Sequence, residues 1–227
     1  MPRVREAVEG VTAELATERE KAIALHDYVR DKIKFGFNRY FDLSKPNHTL
    51  ELAIGHCNPK GELMVALFRE AGLEAHPHFV VLANDIIKGV IPPGMRWLIP
   101  SELSHCYTKV KVEGTWCNID SYILDGLFLR AARAKLLEEN RIIGYGTHAH
   151  STNHWDGRSD AFSQFDKDMM LQDHGRVDDL RTYYRSDRYR NKVFGVQLNT
   201  FFRFLGKGIE VHVNSYMDKL RSKDSGN

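Results

Sequence analysis

Three side chains in this 227-residue sequence have the types needed for nucleophilic chemistry at a carbonyl: the Cys57 thiol, the His105 imidazole and the Asp120 carboxylate. Thiol-based acyl transfer needs a nucleophile, an imidazole that takes and returns its proton, and a group that holds the imidazole in one tautomer. Cys57 lies in Gly55-His-Cys-Asn-Pro59, directly ahead of a run with helical spacing. A thiol where a helix begins feels roughly half a positive charge and nearby free N–H groups, both of which favour the thiolate.

The helix that would carry Cys57 is well marked. Pro59 suits the first turn, Leu63, Leu67 and Ala71 repeat on one face, and Gly72 can cap the end, which predicts a helix over 58–71. The other two groups sit on runs rich in strand formers, His105–Val112 and Thr115–Asp120, around Glu113-Gly114. A two-residue turn opposes Val112 with Thr115, Lys109 with Asn118 and Tyr107 with Asp120. His105 and Asp120 then share a face on a cross-strand diagonal of ~7–8 Å, within side-chain reach. Cys106 and Cys117 fall on the opposite face and read as core residues.

Gly55-His-Cys57 opening a helix that ends in Phe68-Arg-Glu-Ala-Gly72-Leu-Glu-Ala75, followed by His105, the turn at Gly114, Trp116 and Asp120, resembles the transglutaminase-like superfamily of papain-like cysteine enzymes. The resemblance covers residues 17 to 122. It implies an α+β fold in which a helical lobe carries the Cys and packs on an antiparallel sheet carrying the His and Asp. It also implies Cys57 as nucleophile, His105 as base and later acid, and Asp120 as the residue that orients His105. Tyr107 stands where the family often has an aromatic after its His, whereas Ser121-Tyr122 stands where it often has Pro. The Cys57 N–H is one oxyanion donor; Asn38 and Tyr40, upstream, are candidates for the second. The length leaves no room for the calcium sites or extra β-domains of the large animal crosslinking enzymes.

Elsewhere, Thr17-Glu-Arg-Glu20 has capping-box form and opens an apolar stripe at Ala22, Leu25, Val29 and Ile33, predicting a helix over 17–33 after another over 3–15. Residues 35–46 read as a loop bearing Phe37, Tyr40 and Phe41. Residues 73–82 read as a strand, placed at a sheet edge because of Pro77. Punctuated by Pro92-Pro93-Gly94 and carrying Trp97, residues 84–104 read as an insertion over the site. Residues 126–139 predict a helix, 144–192 lack periodicity, and 193–206 and 209–221 predict two closing helices separated by glycines. Residues 222–227 read as a disordered tail. Residues 1–125 thus form the expected catalytic core, with a mostly helical extension over 126–227 that packs on it within one structural domain and shapes the cleft.

Composition narrows the partners. Lys and Arg total 32 against 30 Asp and Glu, a net charge of +2, which is not the footprint of a nucleic-acid binder. No apolar run reaches the ~18 residues of a membrane span, and three scattered cysteines fit a reducing compartment, so the expected address is cytoplasmic. His148, His150 and His154 lie among Gly and Ser/Thr without an acidic or Cys ligand at tight spacing, so no metal and no cofactor is expected. Arg181–Arg190, interleaved with tyrosines and offset by aspartates, reads as a salt-bridged surface helix. Tyr40, Trp97, Tyr107 and His154 are the candidate substrate-binding residues, for a small-molecule or peptide-like carbonyl substrate. The leading expectation is hydrolysis of an amide or peptide-like bond through a Cys57 thioester. Amine transfer, C–C cleavage or isomerisation of a small molecule, and a non-catalytic binding module of the same fold are the alternatives. The sequence carries no signal of oligomeric state.

Overall fold

The computed structural model describes residues 2–223. Helix α1 (Pro2–Thr12) precedes α2 (Glu18–Lys32), whose start carries the full capping box: the Glu20 N–H donates to the Thr17 side chain while the Glu20 carboxylate accepts from the Thr17 N–H. Ala22, Leu25, His26 and Val29 form its buried face. Strand β1 (Lys34–Phe35) pairs in parallel with β2 (Ile54–Gly55), and between them lie the aromatic loop and a helix that the sequence reading missed, α3 (Pro46–Leu52). Pro46 at its first position is the overlooked start signal. Helix α4 (Cys57–Glu70) follows and includes Cys57 as its first residue.

Strands β3 (Ala75–Ala83), β4 (Glu102–Val112) and β5 (Thr115–Ile119) run antiparallel. The β4–β5 register has Val112 opposite Thr115 and Lys109 opposite Asn118. Both turn residues, Glu113 (φ 48°) and Gly114 (φ 85°), are left-handed, which matches the turn twist to that of the strands. After α5 (Gly126–Glu138) and the short pair β6 (Ile143–Gly144) and β7 (Thr147–His148), strand β8 (Met170–Arg176) joins the same sheet in the order β5-β4-β3-β8. Strand β3 is therefore interior, not an edge. It tolerates Pro77 because β8 pairs with it only from His78 onward.

The chain closes with α6 (Leu180–Arg185) and α7 (Leu198–Lys223). The expected surface helix over 181–190 reduces to α6, and Tyr183, Tyr184 and Tyr189 are core residues packed with Phe79. The two expected closing helices are one: α7 continues through Gly206 and Gly208, since a helix-interior glycine costs only ~1 kcal/mol, less than packing returns. Of the expected tail, 224–227 lie outside the described residues, and 222–223 belong to α7. Among the described residues no helix is long and apolar enough to cross a membrane.

Helix α4 lies close against β4, and Gly61 permits it: a Cβ there would stand 2.9 Å from Cys106 Sγ and 3.5 Å from the Tyr122 hydroxyl. This approach brings the start of α4 to the strand that bears His105. Gly61→Val should therefore cost about 1–3 kcal/mol through overpacking, despite the better helix propensity of valine over glycine. Urea unfolding checks this; a midpoint equal to the parent's would refute the tight helix–strand contact.

Candidate active site

Cys57 occupies the first turn of α4 and is half-buried. Its Sγ–H donates to Asn58 Oδ1 at 3.5 Å. Burial pushes the thiol pKa above its ordinary value and the nearby Asp42 carboxylate pushes the same way; the backbone N–H groups of Cys106 and Asn58 favour the thiolate without prevailing. Burial and Asp42 thus oppose the helix terminus, which by itself favours the thiolate.

His105 is buried on β4, and its Nε2 lies 2.9 Å from Asp120 Oδ2. The fifteen-residue step between them is closed by the hairpin, as the register requires. With Nε2 committed to the carboxylate, proton exchange with the cavity must run through Nδ1. Asp120 is wholly buried, and its remaining lone pairs are filled by three consecutive backbone N–H groups: Ser163 (2.5 Å) and Gln164 (3.1 Å) to Oδ1, and Phe165 (2.7 Å) to Oδ2. Burial raises its pKa, but the His105 bond and these N–H groups outweigh burial and hold the carboxyl below its usual range. Sequence reasoning missed residues 163–165 because main-chain groups do the work, and no residue type announces them. Ser121 and Tyr122, which depart from the family's Pro, are held by His26 Nε2 (2.8 Å) and Thr108 Oγ1 (2.8 Å).

On the other side of the thiol, Asp42 Oδ1 accepts from His56 Nε2 (2.7 Å) and Asn58 Nδ2 (2.8 Å), and Oδ2 accepts from the Tyr189 hydroxyl and Asn191 Nδ2 (2.9 Å). None of these residues was given a part in the site from the sequence. Their spacing along the chain carries no local pattern; the His immediately before the Cys was the one readable cue.

Cys57, His56 and His105 line one cavity of about 80 Å³. Its walls are mostly apolar, with Phe37 and Phe41 from the aromatic loop, Ile86, Ile91 and Leu98 from the 84–104 insertion and Phe202 from α7; Ser104, Gln164 and Asn191 also line it. Cys57, His105 and Asp120 are thus brought together, whereas the four candidate substrate-binding residues lie outside the lining. Tyr40 stacks on His48, Trp97 is 47% exposed at an edge of Phe201, Tyr107 stacks on His78, and His154 is exposed. Asn38, offered as an oxyanion donor, spends its Nδ2 on Ser44 and the Ile54 carbonyl. Among the described residues no cluster of three or more His, Cys, Asp or Glu could hold a metal ion.

The family's sequence model matches residues 5–121, and the chain belongs to the transglutaminase-like superfamily. Most of α1, helices α2 to α4 and strands β3 to β5, with Cys57 and His105 on them, fall within that span. Solved structures similar to this chain include a "Putative Cysteine Protease" from Cytophaga hutchinsonii (16% identity over 56% of this chain and 39% of that one, TM-score 0.42). A "putative protease" from Parabacteroides distasonis (13%, 52% and 22%, TM-score 0.37) and a protein described as a TGase (17%, 51% and 28%, TM-score 0.34) are further ones. The matched part of this chain spans less than half the length of each. No curated protein matches the sequence.

One turn into α4, Lys60 is wholly buried and ties the helix start to two neighbouring segments, donating to the Ile33 carbonyl (2.6 Å) and the Ile123 carbonyl (2.8 Å). Burial lowers its pKa to about 7. The folded state thus releases the proton before the unfolded chain does, and between about pH 7 and the ordinary lysine range the unfolded state binds more protons. Stability should rise with pH across that window, by ~1–2 kcal/mol between pH 7 and 9. Chemical unfolding at a series of pH values tests this: Lys60→Met should flatten the rise, and an unchanged slope would locate its cause elsewhere.

Proposed function

We propose that the protein is a thiol-dependent hydrolase acting on an amide or peptide-like bond of a small substrate whose acyl group is apolar, with Cys57, His105 and Asp120 as its catalytic residues. The observation that carries this reading is the shared cavity: a thiol and an imidazole already oriented by a buried carboxylate meet in a space walled by aliphatic and aromatic side chains. Membership of the transglutaminase-like superfamily supports thiol chemistry in general.

Because burial disfavours a standing thiolate, His105 works as a general base during attack. Its Nδ1 takes the Cys57 proton as Sγ bonds to the carbonyl carbon. The negative charge that develops on the carbonyl oxygen is met by the Cys57 backbone N–H, free at the helix start. The tetrahedral centre collapses, the leaving amine takes the proton from His105, and the acyl group remains on sulphur as a thioester. Water then attacks, giving its proton to the same nitrogen; the acid departs and the thiol regains the proton. Asp120 keeps Nε2 protonated throughout and stabilises the imidazolium that forms.

Activated p-nitrophenyl esters of acetate, butyrate and hexanoate report the acylation step as a burst of p-nitrophenolate. Acylation should speed up roughly fourfold for each methylene that enters the cavity. His105→Ala should slow it by about 10²–10⁴-fold, and Cys57→Ala should abolish the burst. A burst that survives Cys57→Ala would refute the assignment.

A further inference from the structure

The catalytic cavity, at about 80 Å³, falls well short of the ~300–1,000 Å³ of a site that encloses a small-molecule ligand. The reacting carbonyl and a few neighbouring atoms fill it, and the rest of a substrate must lie elsewhere. A groove of about 430 Å³ stands beside it, and Ile91, half-buried on the 84–104 insertion, is the side chain that lines both. The insertion thus divides its residues between the two spaces: Leu98 lines the cavity of the thiol, while Lys88 and Arg96 line the groove.

One wall of the groove is strained. Residues 144–146 hold three consecutive positive φ angles, Gly144 at 142°, Tyr145 at 54° and Gly146 at 76°. For a bulky residue such as Tyr145 this backbone is unfavourable, and strain of this kind clusters at active sites and ligand clamps. The Tyr145 and Gly146 N–H groups donate to the Lys88 and Ile86 carbonyls, each at 2.7 Å, which fixes the strained run against the insertion. Gly89 makes room for the ring, since a Cβ there would collide with Tyr145.

Charge then selects the ligand. Of the cations that line the groove, Lys88 is ion-paired with Asp85, and Arg141 with Glu139 at 3.0 Å. The Glu139 carboxylate also accepts from the Tyr145 hydroxyl. The exposed Arg96 guanidinium has no ion pair or hydrogen bond among the described residues. One uncommitted guanidinium, whose N–H fork matches a carboxylate, suits a single negative charge rather than a polyanion.

We propose that this groove is a carboxylate subsite of the candidate active site: the acyl chain of the substrate runs apolar past Ile91 and ends in a carboxylate held by Arg96. The substrate class is then an acyl compound with a carboxylate at the far end of its chain, not a plain aliphatic or aromatic one. This rests on acylation of Cys57, and the test separates the two.

The probes are mono-p-nitrophenyl esters of the straight-chain diacids from adipate to dodecanedioate, each paired with its neutral methyl p-nitrophenyl diester. Each burst rate is divided by the rate of the same ester with 2-mercaptoethanol, which removes differences in intrinsic reactivity. At low salt the parent protein should favour the carboxylate over its methyl ester by roughly five- to tenfold at one chain length, the worth of a charge-assisted contact in a partly exposed groove. Arg96→Gln should bring that ratio to about one, and Arg96→Glu should bring it below one; circular dichroism checks that both fold. Arg158→Gln, which removes an exposed cation outside the groove, should leave the ratio as it is. A ratio of one at every length in the parent, or one that Arg96→Gln leaves intact, would overturn the proposal. A preference that is the same at all lengths would do so too, as would one that Arg158→Gln lowers equally, since either reports general attraction to the protein's charge. If no ester, neutral or charged, gives a burst that Cys57→Ala abolishes, the nucleophile reading fails and this inference falls with it.

Discussion

The buried carboxylate of Asp120 sets the terms for much of this structure. A carboxylate removed from water must be paired and its lone pairs filled, or it neutralises or unfolds the chain. His105 fills one position; the three N–H groups of residues 163–165 fill the others. A segment far along the chain therefore has to return to the hairpin, and it brings β8 to the free side of β3. Arg221, near the end of α7, makes a second such tie through its ion pair with Asp125 at 2.6 Å. Residues 126–223 supply bonds to the hairpin and part of the cavity wall rather than lying over a finished core.

The thiol sits between two buried carboxylates, and this explains why its position at a helix start is not decisive. A helix terminus contributes ~0.3–1 kcal/mol at exposed sites and up to ~2 kcal/mol when partly buried. Desolvation of an ionisable group raises an acid's pKa, by as much as 3–5 units where burial is complete and by less at a half-buried thiol, and a nearby like charge adds to that. Asp42 and Asp120 both disfavour a second negative charge at Cys57. The local field thus resists charge separation at rest.

The parts that could be read in the sequence are those in which residue type and short-range spacing carry the information. The Thr17 capping box, the Cys57 helix and the Glu113-Gly114 hairpin all belong to this class, and each depends on contacts within a few residues. The pairing of His105 with Asp120 was legible because hairpin geometry converts a count along the chain into a face. What escaped reading depends on backbone groups or on long-range partners. The Asp42 cluster gathers residues 42, 56, 58, 189 and 191, and the Asp120 cradle uses main-chain N–H groups that every residue but proline possesses. No residue of strand β8 is fully buried, so no alternation marked it. The cavity lining was misread for a related reason: Trp97 and Tyr40 are conspicuous as residue types, but the inward positions are taken by plainer neighbours such as Leu98 and Phe41.

The order in which these partners are made has a consequence for the nascent chain. Cys57 leaves the ribosome long before residues 163–165, which cradle Asp120, and before Phe202, which walls the cavity. At ~5–20 residues per second, the thiol waits on the order of ten seconds for its surroundings. Through that interval the hairpin lacks the donors that hold its carboxylate and orient its imidazole. Placing those donors well downstream of the thiol defers assembly of the candidate site until they too have been made.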